Sequence, residues 1–148
     1  MTKKKLDPFT LPAEFRGYAY SEIVLGWETG RVRVKPGNFS RKVLEKSLEI
    51  FVLRIDSLAD LRAEEDKPAP TKEHLVFLRG KSGYKGIFKR LRDTFAHGDF
   101  GSPEDGWIEI RHRYKQHREK IEQTRVFGKL KVDSLKRLVS FLEVSGGK

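Results

Sequence analysis

Between Arg90 and Gly98 the chain reads Arg-Leu-Arg-Asp-Thr-Phe-Ala-His-Gly. A histidine titrates near neutrality and can take or give a proton. An arginine offers phosphate a fixed, bidentate clamp. These residue types suit attack by an RNA 2′-hydroxyl on its own phosphodiester: a base takes a proton, a cation steadies the charge on the phosphorus oxygens, and an acid protonates the departing 5′-oxygen. One histidine cannot be base and acid at the same instant. A symmetric pair of chains supplies the second, and a monomer is then expected to be nearly inert.

The element that must position these groups is an amphipathic helix over Gly83–Phe100. Tyr84, Ile87, Phe88, Leu91 and Phe95 recur at steps of three and four and form its apolar stripe, while Lys85, Lys89, Arg90, Arg92 and Asp93 occupy the other side. Gly98 is suited to end it, because glycine takes a positive φ without steric cost. At about 100° per residue, Arg90 and Asp93 share a face with His97, whereas Arg92 lies about 140° away and must reach round or face a second chain. The plainer reading of His97 is a C-cap favoured by the helix dipole; the neighbouring arginines favour a functional role. Geometry favours Arg90 as its partner.

Composition narrows the class. The 148 residues suit one domain; they carry a formal charge of +10, ten Phe, two Trp and no Cys. Without Cys there is no disulfide framework and no thiolate-bound metal or cluster, which agrees with a cytoplasmic address. No apolar run approaches the roughly 18 residues of a membrane span, and no apolar segment follows the Met-Thr-Lys-Lys-Lys start. The charge is concentrated: Arg79–Arg92 holds six basic residues and no acidic one, and Arg111–Lys131 holds eight against Glu119 and Glu122. Such stretches attract phosphate backbones. His74, His97, His112 and His117 are irregularly spaced, with no acidic pattern beside them, so no metal site is expected. Gly80, Gly83 and Gly86 lack the order of a phosphate-binding loop.

Residues 1–10 read as a flexible basic tail. Over 11–35, Phe15, Ala19 and Ile23 are spaced for a helix, yet Ile23–Leu25 and Arg31–Lys35 flank a Glu-Thr-Gly turn; the hairpin is favoured. Leu44, Leu48, Phe51, Ile55 and Leu58, widened by Val43, Ile50 and Leu61, predict a long helix from Asn38 or Ser40 to about Glu64. A short helix is expected over Thr71–Leu78. After a Gly/Pro-rich loop, Trp107–Tyr114 alternates as a strand, Arg125–Val132 pairs with it, and Asp133 caps a last helix with the stripe Leu135, Leu138, Val139, Leu142 and Val144. Trp107 and Tyr114 can pack the sheet or stack on bases; packing is favoured.

Arg92-Asp93-Thr94-Phe95-Ala96-His97-Gly98 resembles the signature of the HEPN superfamily (higher eukaryote and prokaryote nucleotide-binding domains): an arginine, a polar residue beside it, and a histidine a few positions on. The loop, two strands and closing helix that follow look like those of some bacterial and plasmid-borne members. The resemblance implies a mostly α protein, an up-and-down bundle with core helices over 40–97, a small β-hairpin appended over 107–132 and a C-terminal helix over 133–144. It implies a homodimer whose paired helix ends form a metal-independent endoribonuclease with no cofactor, in some settings a toxin or defence component restrained by an antitoxin-like partner. By position, Arg92 and His97 are the motif pair and Asp93 the polar residue, where asparagine is more usual. Lys85, Lys89, Arg90, Arg111 and Arg113 are the expected phosphate-binding residues. The family spacing selects Arg92 where helix geometry selects Arg90, so both stay candidates. The rival reading is a non-catalytic module that binds RNA or a protein.

Overall fold

A computed structural model describes residues 6–29, 46, 49–68, 72–78, 86–115 and 119–146. The basic residues before 6, the expected strand Arg31–Lys35, the helix start at Asn38 or Ser40, and Lys85 lie outside these. After a 3-10 turn at Pro8–Thr10, closed by the Asp7 carboxylate accepting from Phe9 N–H, the chain winds through α1 (Ala13–Tyr18), a π-helical stretch (Ala19–Val24) and α2 (Leu25–Glu28). The favoured hairpin is therefore not formed at Ile23–Leu25, which is helical. Leu11, Phe15, Ala19 and Ile23, all buried, sit four apart and would drift by about 40° per step around an ordinary helix. The wider π turn, in which Leu25 N–H donates to the Tyr20 carbonyl, takes up part of that drift and keeps them facing the core.

The largest correction concerns Ile50–Leu78. Lys46 is helical, but from Phe51 on the predicted long helix gives way to β1 (Phe51–Ile55), a bend, and α3 (Leu58–Glu65), and the predicted short helix gives way over its last five residues to β2 (His74–Leu78). Phe-Val-Leu-Arg-Ile can be buried on two sides: Val52 enters one core cluster, and Ile55 with Leu53 the other. Ser57 then starts a new helix, its hydroxyl oxygen accepting from Asp60 N–H at 3.1 Å. In β2, Leu75, Val76 and Phe77 are all buried, as befits a strand covered on both faces.

The rest of the chain comprises α4 (Gly86–Ala96), β3 (Phe100–Gly101), β4 (Trp107–Tyr114), β5 (Gln123–Lys131) and α5 (Val132–Gly146). The strands make one mixed sheet in the order β1-β2-β5-β4-β3, parallel only between β1 and β2, with α3 as their crossover. The architecture is α/β. The expected mostly α bundle with an appended hairpin is overturned, because two stretches assigned to its helices are strands and the hairpin pairs with one of them.

Alternation divides the sheet's faces. Val52, Leu75, Phe77, Ile108, Ile110, Val126 and Leu130 pack under the N-terminal helix, α4 and α5. Ile55, Val76 and Phe127 pack under Leu61 of α3. Among the described residues no helix is long and apolar enough to cross a membrane.

The tightest passage is between β2 and β5, where a Cβ on Gly128 would stand 2.4 Å from the His74 carbonyl oxygen and 2.9 Å from Leu75 Cα. Gly128→Ala is expected to cost about 1–3 kcal/mol by forcing these strands apart. Urea unfolding measures it; an unchanged midpoint would contradict the β2–β5 pairing.

Candidate functional site

Burial of Ile87, Phe88, Leu91 and Phe95 fixes the rotation of α4 about its axis. Lys89 and His97 are thereby exposed, and Arg92 and Asp93 half-buried. The helix ends in a Schellman turn. Gly98 N–H donates to Phe95 O at 3.4 Å, Asp99 N–H donates to Thr94 O at 3.0 Å, and Gly98 has φ +71°. His97 is thus the C-cap residue, its own N–H still donating to Asp93 O at 3.1 Å.

That turn delivers the next residues to the sheet. The Asp99 carbonyl accepts from Arg111 N–H at 3.1 Å, and Phe100 pairs with Ile110. Asp99 is thereby brought beside His112, the residue after Arg111. His112 is in phase with Ile108 and Ile110 on the core side of β4 and is only 2% exposed. Its Nδ1 lies 2.7 Å from Asp99 Oδ2. A carboxylate in its ionised form only accepts, so this contact places the ring hydrogen on Nδ1. The exposed His97 ring stacks on His112, with centroids 5.2 Å apart and planes at 26°. Asp99 anchors His112, and His112 supports one face of the imidazole that solvent can reach.

The two candidate arginines have different surroundings. Arg90 Nε donates to Leu78 O at 3.3 Å, tying α4 to the end of β2. Arg92 Nη2 meets Asp93 Oδ1 at 3.0 Å, while its Nε is buried without a hydrogen-bond partner among the described residues. Asp93 thus holds the adjacent guanidinium. Arg111 and Arg113 point from β4 to the face opposite His112. There Arg111 bonds Glu65 at 2.9 Å and Glu109 at 3.0 Å, and Arg113 bonds Thr124 at 3.2 Å. The structure therefore places the paired Arg92 and Asp93 one turn before His97, brings no side-chain contact between them and His97 among the described residues, and puts Arg111 and Arg113 on the far side of the sheet.

Asp99 and His112 are the residues that sequence reasoning passed over as a pair. One signal was available: a histidine at the apolar beat of Ile108-Glu109-Ile110-Arg111-His112, where the charged residues keep the other beat. Among the described residues no group of three or more His, Asp or Glu is arranged to hold a metal ion.

No family model, curated protein or solved structure matches the chain.

Removing the Asp99 carboxylate takes the acceptor from a buried imidazole N–H. Asp99→Ala is expected to cost about 1–3 kcal/mol, whereas His97→Ala, at an exposed cap, should change stability by well under about 1 kcal/mol. Equilibrium urea unfolding compares them; equal losses would contradict the division between anchor and exposed ring.

Proposed function

We propose that this protein is a metal-independent endoribonuclease in which His97 exchanges protons with the RNA and Arg92 steadies the phosphate. The observation that carries the reading is a solvent-exposed imidazole held by stacking on a buried, carboxylate-anchored histidine at a helix end. The arginine one turn away, with a buried Nε that has no acceptor among the described residues, adds support. The reading retains the chemistry of the HEPN-like motif but not the bundle that accompanies it in that superfamily.

In the proposed step a neutral His97 takes the 2′-hydroxyl proton, the 2′-oxygen bonds phosphorus, and the bond from phosphorus to the 5′-oxygen breaks. A protonated His97 from a second copy of the chain gives its proton to that oxygen. The products are a 2′,3′-cyclic phosphate and a 5′-hydroxyl, and one proton has passed from one imidazole to the other. His112 is too buried to be that acid, which is why the reading includes a homodimer. A cytoplasmic RNA target and restraint by an antitoxin-like protein belong to the same proposal.

A second reading has its own support. Asp93 occupies Arg92 at 3.0 Å and would repel an incoming phosphate, which suits a module that binds RNA without cutting it.

The test is cleavage of single-stranded RNA in EDTA. Under the first reading His97→Ala loses at least about 100-fold in rate while retaining its circular dichroism. Arg92→Gln loses a comparable amount, Asp93→Asn does not lower activity, and cleavage per chain falls on dilution. A folded His97→Ala protein that cuts as fast as wild type removes the proposal. RNA binding by a wild-type chain that never cuts selects the module.

A further inference from the structure

On the face of the sheet that carries α3, the strand ends away from that helix bear an unusual group of side chains. Trp107 of β4 is half-buried and is not among the residues described in either core cluster. Two ammonium groups lie over its ring, Lys129 Nζ at 5.2 Å and Lys131 Nζ at 5.9 Å from the centroid. Register explains the grouping: Trp107 stands opposite Lys131 on β5, and Lys129 is the next residue of β5 on the same face. In the row through Lys129 the partners are His74 and then Phe51 on β1, and Phe51 is 40% exposed. Three strand spacings and a two-residue offset separate the rings of Phe51 and Trp107 by about 16 Å.

We propose that this end of the sheet binds single-stranded RNA, with a base stacked on Trp107, a further base reaching Phe51, and backbone phosphates taken by Lys129 and Lys131. The ligand class follows from the combination. A half-buried indole and a Phe51 ring that is 40% exposed, both on one sheet face outside the cover of α3, suit unpaired bases, which present π-faces that a duplex keeps stacked. The cations beside the indole suit the phosphates that join those bases. Glu104, 3.3 Å from Lys129, and Glu109, 3.0 Å from Arg111, lie in the same region. Glu104 is largely exposed, and such a surface pair is weak, so a phosphate can replace it. At Lys131 the backbone N–H donates to the Glu73 carboxylate at 2.8 Å, so a third carboxylate borders the patch.

The inference extends the RNA reading above from cutting to holding, and it is separable from it. Trp107 is five residues from His112 along β4, about 17 Å, on the opposite face of the sheet. The patch can therefore be altered without touching His97.

The experiment uses the full chain carrying His97→Ala, so that a nuclease would not consume the probe, and Trp27→Phe, so that Trp107 is the only tryptophan. A ten-nucleotide oligouridylate is expected to quench the indole fluorescence. By anisotropy of labelled RNA, Trp107→Ala should weaken binding about 10- to 100-fold, and Trp107→Phe, which keeps a stacking ring and controls for folding, should retain most of it. Replacing Lys129 and Lys131 by Ala should lower the slope of log K against log salt by about 1.4. The proposal is overturned by absent quenching, by unchanged affinity in Trp107→Ala, or by an RNA duplex or polyglutamate binding as tightly as the oligouridylate. Wild-type cleavage without a Trp107 response removes this surface and leaves the nuclease; quenching without any wild-type cleavage does the reverse.

Discussion

The run Leu75-Val76-Phe77-Leu78 has no polar side to show to water, and the rest of the architecture answers that constraint. A strand of this kind needs neighbours on both edges and cover on both faces. Its edges are taken by β1 in parallel and β5 in antiparallel orientation; its faces are taken by α3 on one side and by α4 with the two terminal helical segments on the other. The close approach at Gly128 is part of the same solution, since β5 can pair along β2 only where no side chain intervenes. Burial of the apolar side of α4 against this sheet then sets which of its residues face outward.

The candidate site is a consequence of how α4 is stopped. The left-handed turn at Gly98 reverses the chain within two residues and sends Asp99 to the edge of β4, where the short pairing of β3 holds it against His112. Its chemistry therefore depends on three distinct supports: a helix cap that positions His97, a backbone bond from Arg111 that positions Asp99, and strand alternation that turns His112 inward. Arg111 takes part through its backbone, while its side chain braces α3 through Glu65 on the other face.

Legibility in the sequence followed the same physics. Trp107–Tyr114 alternates cleanly, one beat apolar and one charged, so a strand can be read there, and Gly98 after a periodic stripe marks a helix end. Residues 50–55 satisfy two periods at once: Phe51 and Ile55 are four apart as on a helix, and Phe51, Leu53 and Ile55 are two apart as on a strand. Only partnership with β2 decides between them. His74–Leu78 offers no alternation, because a strand buried on both faces is indistinguishable at that length from a turn and a half of core helix. At the site, His97 was visible from its neighbours, but its association with Asp99 and His112 was not. Thirteen residues separate Asp99 from His112, and only the β3–β4 register brings them together.

The strand order has a consequence for how the chain acquires its shape. β2 lies between one partner close before it and another that begins at Gln123, so the helical and parallel parts come off the ribosome well before the strand that closes the sheet. Until β5 has emerged, one edge of an apolar strand offers its backbone groups to any passing extended segment, a template for association between nascent chains. The local hairpin of β4 and β5 can form quickly once both arms are available. Its docking onto β2 closes a loop of some fifty residues, and on grounds of loop entropy it is the slow event of folding.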